Sequence, residues 1–267
     1  MPISPGTHVV YTIRSGDSLY TIANQFGTSV QALVQANALY PPITEPDLIY
    51  PGQVVVARIP GMSPQSTVLY QVAQGDTLFR IAERFSAGLD LLTALNQLSD
   101  PDDLRVAQLL YLPAFVYEIE SGDSLYRLSR RFGLSLSALI RANQRRPGLS
   151  PDLIYPRFRL VVPLPSSTNI VVQTPLPSTV IAPGHRLMGF ARAFEATVLY
   201  QIRDASGRTV TQERHFMTSE GAPAFGHFDV PIVFDQLPMA TTGTLMVYTR
   251  SAMDGSIQDL VAVPVTF

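Results

Sequence analysis

One phrase occurs three times in this chain, as Ser15-Gly16-Asp17-Ser18-Leu19-Tyr20, Gln74-Gly75-Asp76-Thr77-Leu78-Phe79 and Ser121-Gly122-Asp123-Ser124-Leu125-Tyr126. Ten positions after each glycine stands a phenylalanine (Phe26, Phe85, Phe132), and twenty-one positions after it an asparagine (Asn37, Asn96, Asn143). The glycines are 59 and then 47 residues apart, which fits separate small modules with loops of variable length and not the fixed period of a solenoid. Function is therefore to be sought in what one module does and then in what three do together.

Every copy carries the same order of signals. A short run rich in β-branched and aromatic residues comes first (Val9–Ile13, Val68–Val72, Phe115–Ile119) and reads as a strand. Apolar residues then recur at helical spacing after the Gly-Asp turn: Leu19, Ile22, Ala23 and Phe26; Leu78, Ile81, Ala82 and Phe85; Leu125, Leu128 and Phe132. The hydroxyl or carboxylate just before each stripe (Asp17-Ser18, Asp76-Thr77, Asp123-Ser124) reads as the helix N-cap. A second, shorter stripe (Val30 and Leu33; Leu89 and Leu92; Leu136, Leu139 and Ile140) ends at the repeated asparagine, a residue that tolerates left-handed helix ends. A closing strand follows a polar or Pro-rich loop: Val54–Ile59, Leu109–Leu112 and Arg159–Val162. The order strand, helix, helix, strand predicts two paired strands with both helices on one face. A unit of about 45 to 50 residues is near the lower limit for an independent core, and no cysteine is present to staple it.

With Gly-Asp-Ser/Thr-Leu opening the first helix and Asp47-Leu48-Ile49-Tyr50-Pro51-Gly52-Gln53 preceding the last strand, the pattern over residues 8–163 resembles the LysM module. The resemblance implies a βααβ fold that binds N-acetylglucosamine-containing glycans, peptidoglycan or chitin, in a groove between the loop after the first strand and the loop before the second. Carried onto this chain, it sets Gly16, Asp17, Ser18 and Leu19 opposite Leu48, Ile49, Tyr50 and Pro51. In the second module Gly75, Asp76, Thr77 and Leu78 face Leu104, Arg105 and Val106. In the third, Gly122, Asp123, Ser124 and Leu125 face Leu153, Ile154, Tyr155 and Pro156. Two departures limit the carry-over. Ala107 stands where module one has Gly52, in a module one residue shorter, and Arg157-Phe158 replaces Gly52-Gln53 in the third. If that glycine adopts a positive φ, replacing it costs stability or reshapes the turn. Module one is the most typical.

An N-acetylated sugar is neutral, so its binder needs amide donors and acceptors on loops and small apolar pockets for acetyl methyls and ring faces. Tyr20, Phe79 and Tyr126 occupy one position in all three modules, where two readings stand: an apolar shelf for a sugar face, or a wedge between first helix and loop. For Asp17, Asp76 and Asp123 the favoured reading is a turn and helix cap. The asparagines are read as structural, satisfying backbone at a helix end. The Pro60–Ser66 linker is longer than the join at Pro113, so modules two and three are expected to move as one body and module one more loosely.

After Pro163-Leu164-Pro165-Ser166-Ser167-Thr168-Asn169 the helical stripes stop, and strand-like runs (Thr197–Arg203, Phe228–Phe234, Gly243–Thr249) separated by turns predict an antiparallel β-sandwich. The fold class is therefore multidomain α+β and all-β, with expected bounds 7–60, 66–113, 114–163 and 169–267. The phrases Thr174-Pro175-Leu176, Gly189–Ala196, Ser251–Ser256 and Val263-Pro264-Val265 resemble the immunoglobulin-like domain associated with bacterial spore germination. That resemblance implies a fold and a bacterial envelope setting, not a site. For Arg192, Phe194 and Glu195 a strand-end ion pair beside a core aromatic is favoured over a partner surface.

A net charge of −2 from 19 basic and 21 acidic residues, in no long runs, leaves no electrostatic footprint for nucleic acid. No run is long enough for a membrane span, and Met1-Pro2-Ile3-Ser4-Pro5-Gly6 has neither the basic nor the apolar region of an export leader. Hydrolase chemistry finds little support. His8, His185, His215 and His227 are scattered without an HExxH pair, Glu118 and Glu120 read as solvated, and no cysteine nucleophile exists. The sequence thus points to a non-enzymatic, cofactor-free binder of peptidoglycan or chitin-type N-acetylglucosamine oligomers at the cell envelope or spore surface, with an envelope or spore protein as partner of the sandwich. The alternative is an assembly protein whose LysM-like modules bind proteins; Ala107 and Arg157 keep it open.

Overall fold

The structure, a computed structural model, describes residues 2–41, 43–45 and 48–267; Asp47 of the motif before the last strand of module one lies outside the described residues. Module one runs β1 (Thr7–Thr12), α1 (Leu19–Phe26), α2 (Val30–Asn37), β2 (Val54–Ile59). Module two runs β3 (Thr67–Gln71), α3 (Leu78–Arg84), α4 (Leu89–Leu95), β4 (Leu109–Leu112), and module three β5 (Ala114–Glu118), α5 (Leu125–Arg131), α6 (Leu136–Ala142), β6 (Arg159–Pro163). Within each, the two strands pair antiparallel. The first helices begin where a hydroxyl can accept a first-turn amide: Ser18 from Thr21 N, Thr77 from Arg80 N and Ser124 from Arg127 N. The hydroxyl, not the preceding aspartate, is the cap.

The repeated asparagines do more than end a helix. Asn37 Nδ2 donates to Leu33 O one turn back and to Val56 O across on β2, while its Oδ1 accepts from Val56 N. Asn96 makes the same three bonds to Leu92 and Tyr111, and Asn143 to Leu139 and Val161. One side-chain amide therefore takes the place of a neighbouring strand and locks the second helix to the closing strand.

Module one does not hang loosely. β1 pairs in parallel with β3, from Thr7 opposite Thr67 to Val10 opposite Tyr70, so modules one and two share one sheet in the order β2-β1-β3-β4. The physical reason lies on the strand face turned away from the module's own helices. Val9, Tyr11, Val55 and Ala57 pack in module one's core, whereas Val10, Val54 and Val56 join a cluster with Val68, Tyr70 and Leu110 of module two and Val116 and Val161 of module three. Exposed, that face would cost about 25 cal/mol per Å² of apolar surface. The outer edge of β5 is covered by residues 2–4, through Ser4 N to Val116 O and Glu118 N to Pro2 O.

The C-terminal region is a sandwich of a four-stranded sheet, β9 (Thr197–Asp204), β10 (Thr209–Met217), β12 (Thr242–Arg250) and β13 (Ile257–Thr266), on a three-stranded one, β7 (Ile170–Thr174), β8 (Arg186–Ala191) and β11 (Gly226–Pro231). All pairs within both sheets are antiparallel. Pro231 and Pro264 sit on edge strands, the places where a missing N–H is tolerated. Ile170 and Val172 face the sandwich core, while Val171 between them packs into the core of module three with Phe190 against it. Arg192 pairs with Asp90 of module two at 2.9 Å, and Ser178 Oγ donates to Arg131 O of module three. Arg192 thus belongs to a contact with module two, while Phe194, which the sequence places beside a core, is exposed.

Candidate functional site

Each module turns its chain twice at the end of its strand pair, and backbone bonds join the two turns. Ile13 N donates to Gln53 O and Gly52 N to Ile13 O; Val72 with Ala107 and Gln108, and Ile119 with Arg157 and Phe158, repeat the arrangement. The first loop is fixed by its aspartate. Asp17 Oδ2 accepts Tyr11 Oη at 2.7 Å and Arg14 N at 2.7 Å; Asp76 does so from Tyr70 and Ala73, and Asp123 from Tyr117 and Glu120. Burial first, and then the bond to aspartate, push the phenols of Tyr11 and Tyr70 up to about 12, and Tyr117 moves the same way, so all three remain donors at neutral pH. These carboxylates are committed to holding a turn. Gly16, Gly75 and Gly122 have φ of 87°, 82° and 88° with open space where a side chain would sit, so glycine is required there by conformation and not by crowding.

Leu19, Leu78 and Leu125 are buried in the cores, so they support the loop from beneath and offer a ligand little surface. Ser18 and Thr77 are exposed but occupied as caps; Ser124 is half-buried in the same role. Tyr20, Phe79 and Tyr126 are 67%, 63% and 60% exposed. A wedge between helix and loop would be buried, so the structure does not support that reading of them. On the second loop, Leu48, Tyr50 and Pro51 are exposed while Ile49 packs against the core of module one. Arg105 and Val106 are exposed and Leu104 half-buried in module two; Leu153 and Pro156 are exposed and Ile154 and Tyr155 half-buried in module three. The described surface at these loops offers backbone amides and isolated apolar side chains, with exposed charges at Arg14, Arg105 (3.9 Å from Asp103), Glu120, Asp152 and Arg157.

The turn before the last strand keeps its shape in all three modules despite the substitutions. Gly52, Ala107 and Arg157 have φ of 88°, 72° and 71°, so the departures cost strain and do not reshape the turn. Gln53 Oε1 accepts Tyr50 N and Gln108 Oε1 accepts Arg105 N, each at 2.9 Å. Phe158 cannot do this. It is fully buried, with the Arg146 guanidinium 4.0 Å from its ring centroid. Arg146, which motif reading passes over because it has no counterpart in modules one and two, donates to Asn37 Oδ1 and Ala36 O of module one and to Asn143 Oδ1 and Arg159 O of its own module.

A family model described as the LysM domain matches residues 11–58, 70–113 and 117–163, just over half of the chain. One described as the immunoglobulin-like domain of bacterial spore germination matches residues 169–256. The secreted LysM effector ECP6 of Passalora fulva is 31% identical over 110 residues, covering 41% of this chain and 47% of that protein. The probable autolysin SsaALP of Staphylococcus aureus is 34% identical over 96 residues, covering 33% of this chain and 34% of that protein. The chain spans less than half the length of these two curated relatives. Among solved structures, the spore cortex-lytic enzyme SleL of Bacillus cereus is similar at 33% identity and a TM-score of 0.30, over 40% of this chain and 22% of that one.

Proposed function

Since the chain belongs to the LysM family, with an immunoglobulin-like domain of the spore germination type behind its three LysM modules, we propose that it is a non-catalytic binder of N-acetylglucosamine-containing glycan. The glycan is bacterial peptidoglycan, and the protein works at the cell envelope or spore surface. The observation that carries the reading is the exposed aromatic built three times, Tyr20, Phe79 and Tyr126, each following a first loop fixed by the same tyrosine–aspartate bond. An exposed aromatic held on a rigid turn offers a face to a sugar ring. The repeated carboxylates Asp17, Asp76 and Asp123 are bound to tyrosine hydroxyls and turn amides, so they hold the loops in shape.

Module one has the fullest site, with Tyr20 and Tyr50 exposed and Gly52 and Gln53 intact. Because the modules share cores, the test uses the whole chain. Tyr20→Ala and Tyr50→Ala together are expected to lower co-sedimentation with purified peptidoglycan about tenfold in affinity while leaving the unfolding midpoint in place. Tyr50 serves better than Ile49, which supports the core. Unchanged binding by a correctly folded double variant would remove module one's groove from the reading.

The second reading, an assembly protein whose modules contact proteins, is favoured by the exposed Phe194, Leu237, Met239 and Met253 of the sandwich. On it the chain would pellet with an envelope protein and not with purified glycan.

A further inference from the structure

Where modules one and three meet, the second loop of module one (Pro51, Gly52, Gln53) and a loop of module three (Arg145, Arg146, Pro147) line a shallow cleft. The two loops are fastened together. Val54 N donates to Arg145 O at 2.9 Å, and Arg146 Nη2 reaches Asn37 Oδ1 at 2.7 Å. The cleft therefore has fixed walls, and one of them is Pro51 of the candidate groove.

The charge in this wall is unbalanced. Arg146 is buried, and all four of its hydrogen-bond acceptors are neutral; its Nε has no partner among the described residues. Arg84 of module two brings a second cation to the same loop, its Nη2 donating to Gln144 O at 3.2 Å. Asp76 is the carboxylate that reaches Arg84, and no ion pair of the described residues involves Arg84, Arg145 or Arg146. Arg145 is exposed at the mouth of the cleft. A buried guanidinium without a counter-charge is costly to keep, and the exposed guanidinium of Arg145 beside it has the shape and charge to meet an oxyanion.

We infer that this cleft is a subsite for an anionic substituent of the ligand, a carboxylate on the peptide that branches from peptidoglycan, so that module one with module three selects peptidoglycan over neutral N-acetylglucosamine oligomers. The inference rests on the glycan reading of module one, because the cleft continues from Pro51. The cleft beside the groove supplies the discrimination. Arg145 is the residue that meets the ligand, and Arg146 and Arg84 set the potential behind it.

Titration calorimetry of the full chain tests this with a neutral N-acetylglucosamine oligomer, a disaccharide-peptide fragment with free carboxylates, the same fragment amidated, and a soluble phosphodiester polymer. The free-carboxylate fragment is expected to bind about tenfold tighter than the amidated one, and the advantage shrinks with added salt. Arg145→Gln is expected to abolish that advantage with oligomer binding unchanged, and Arg145→Lys to restore part of it. Equal binding of the free and amidated fragments, or a preference that survives Arg145→Gln, overturns the subsite while the glycan reading stands. Tighter binding of the phosphodiester polymer than of the free fragment overturns the carboxylate assignment. Failure of both oligomer and fragments to bind the native chain overturns the glycan reading and the subsite with it.

Discussion

Modules one and three share a fold, a turn geometry and an asparagine clamp, yet they have spent the same position in opposite ways. Module one keeps Gly52 and Gln53, a relaxed turn whose side chain binds the loop amide of Tyr50. Module three has a strained Arg157 and a buried Phe158, and that ring carries Arg146, which grips Asn37 and Ala36 of module one. The difference teaches that identical repeats need not do identical work. One keeps its second loop at the surface while another has been turned inward to hold it in place.

That division is best broken at Gly148. A Cβ there would fall on Asn37 O and lie 2.8 Å from Ala38 Cβ, both in module one. Gly148→Ala is expected to destabilise the chain by about 4 kcal/mol, by overpacking where the backbone cannot give; urea unfolding measures it, and a loss below about 1 kcal/mol would mean that the junction is slack. A smaller, pH-dependent effect comes from His8 of module one. Burial first, then Arg159 of module three and Arg58, hold its pKa down to about 4 from 6.5. The unfolded chain therefore takes up a proton between pH 6.5 and about 4 that the folded chain refuses. Stability is complete above pH 6.5 and falls as the pH drops through that window, by about 3 kcal/mol in all. His8→Gln is expected to flatten this slope in denaturation midpoints taken across the range, and an unchanged slope would place the acid sensitivity elsewhere. Smallest is the turn itself. Ala107→Gly and Arg157→Gly are each expected to stabilise by about 1 kcal/mol, since both residues stand at positive φ, while Gly52→Ala destabilises by a similar amount. A loss on either substitution to glycine would show that the side chain supplies more than the strain costs.

Most of each module was legible because its signals are local: a hydroxyl cap, a helical stripe, an asparagine at a helix end. The resemblance carried the loops of the groove onto the chain, while the helical stripe placed Leu19, Leu78 and Leu125 in the cores, since a residue opening a helix lies beside the turn and inside the core at once. The relation between modules was less legible. The linker length suggested looseness, yet β2 begins Val54-Val55-Val56-Ala57 without a polar residue, and all four are buried. A strand covered on one face alternates apolar with polar; this one does not, and the missing alternation was the available signal that a second layer covers it. Arg146 left no such mark, because its partners are mainly backbone and amide oxygens brought near by the fold. In the sandwich, the central β9 and β12 announced themselves, while β7, whose two faces serve two different cores, carries too short a run to declare both.

The parallel pairing of β1 with β3 bears on how such a protein can change over generations. A string of independent beads can gain or lose one by a single duplication or deletion and remain soluble. Here a lost repeat would uncover Val10, Val54, Val56 or their counterparts on its neighbours. The unit that buries these faces is the block of three.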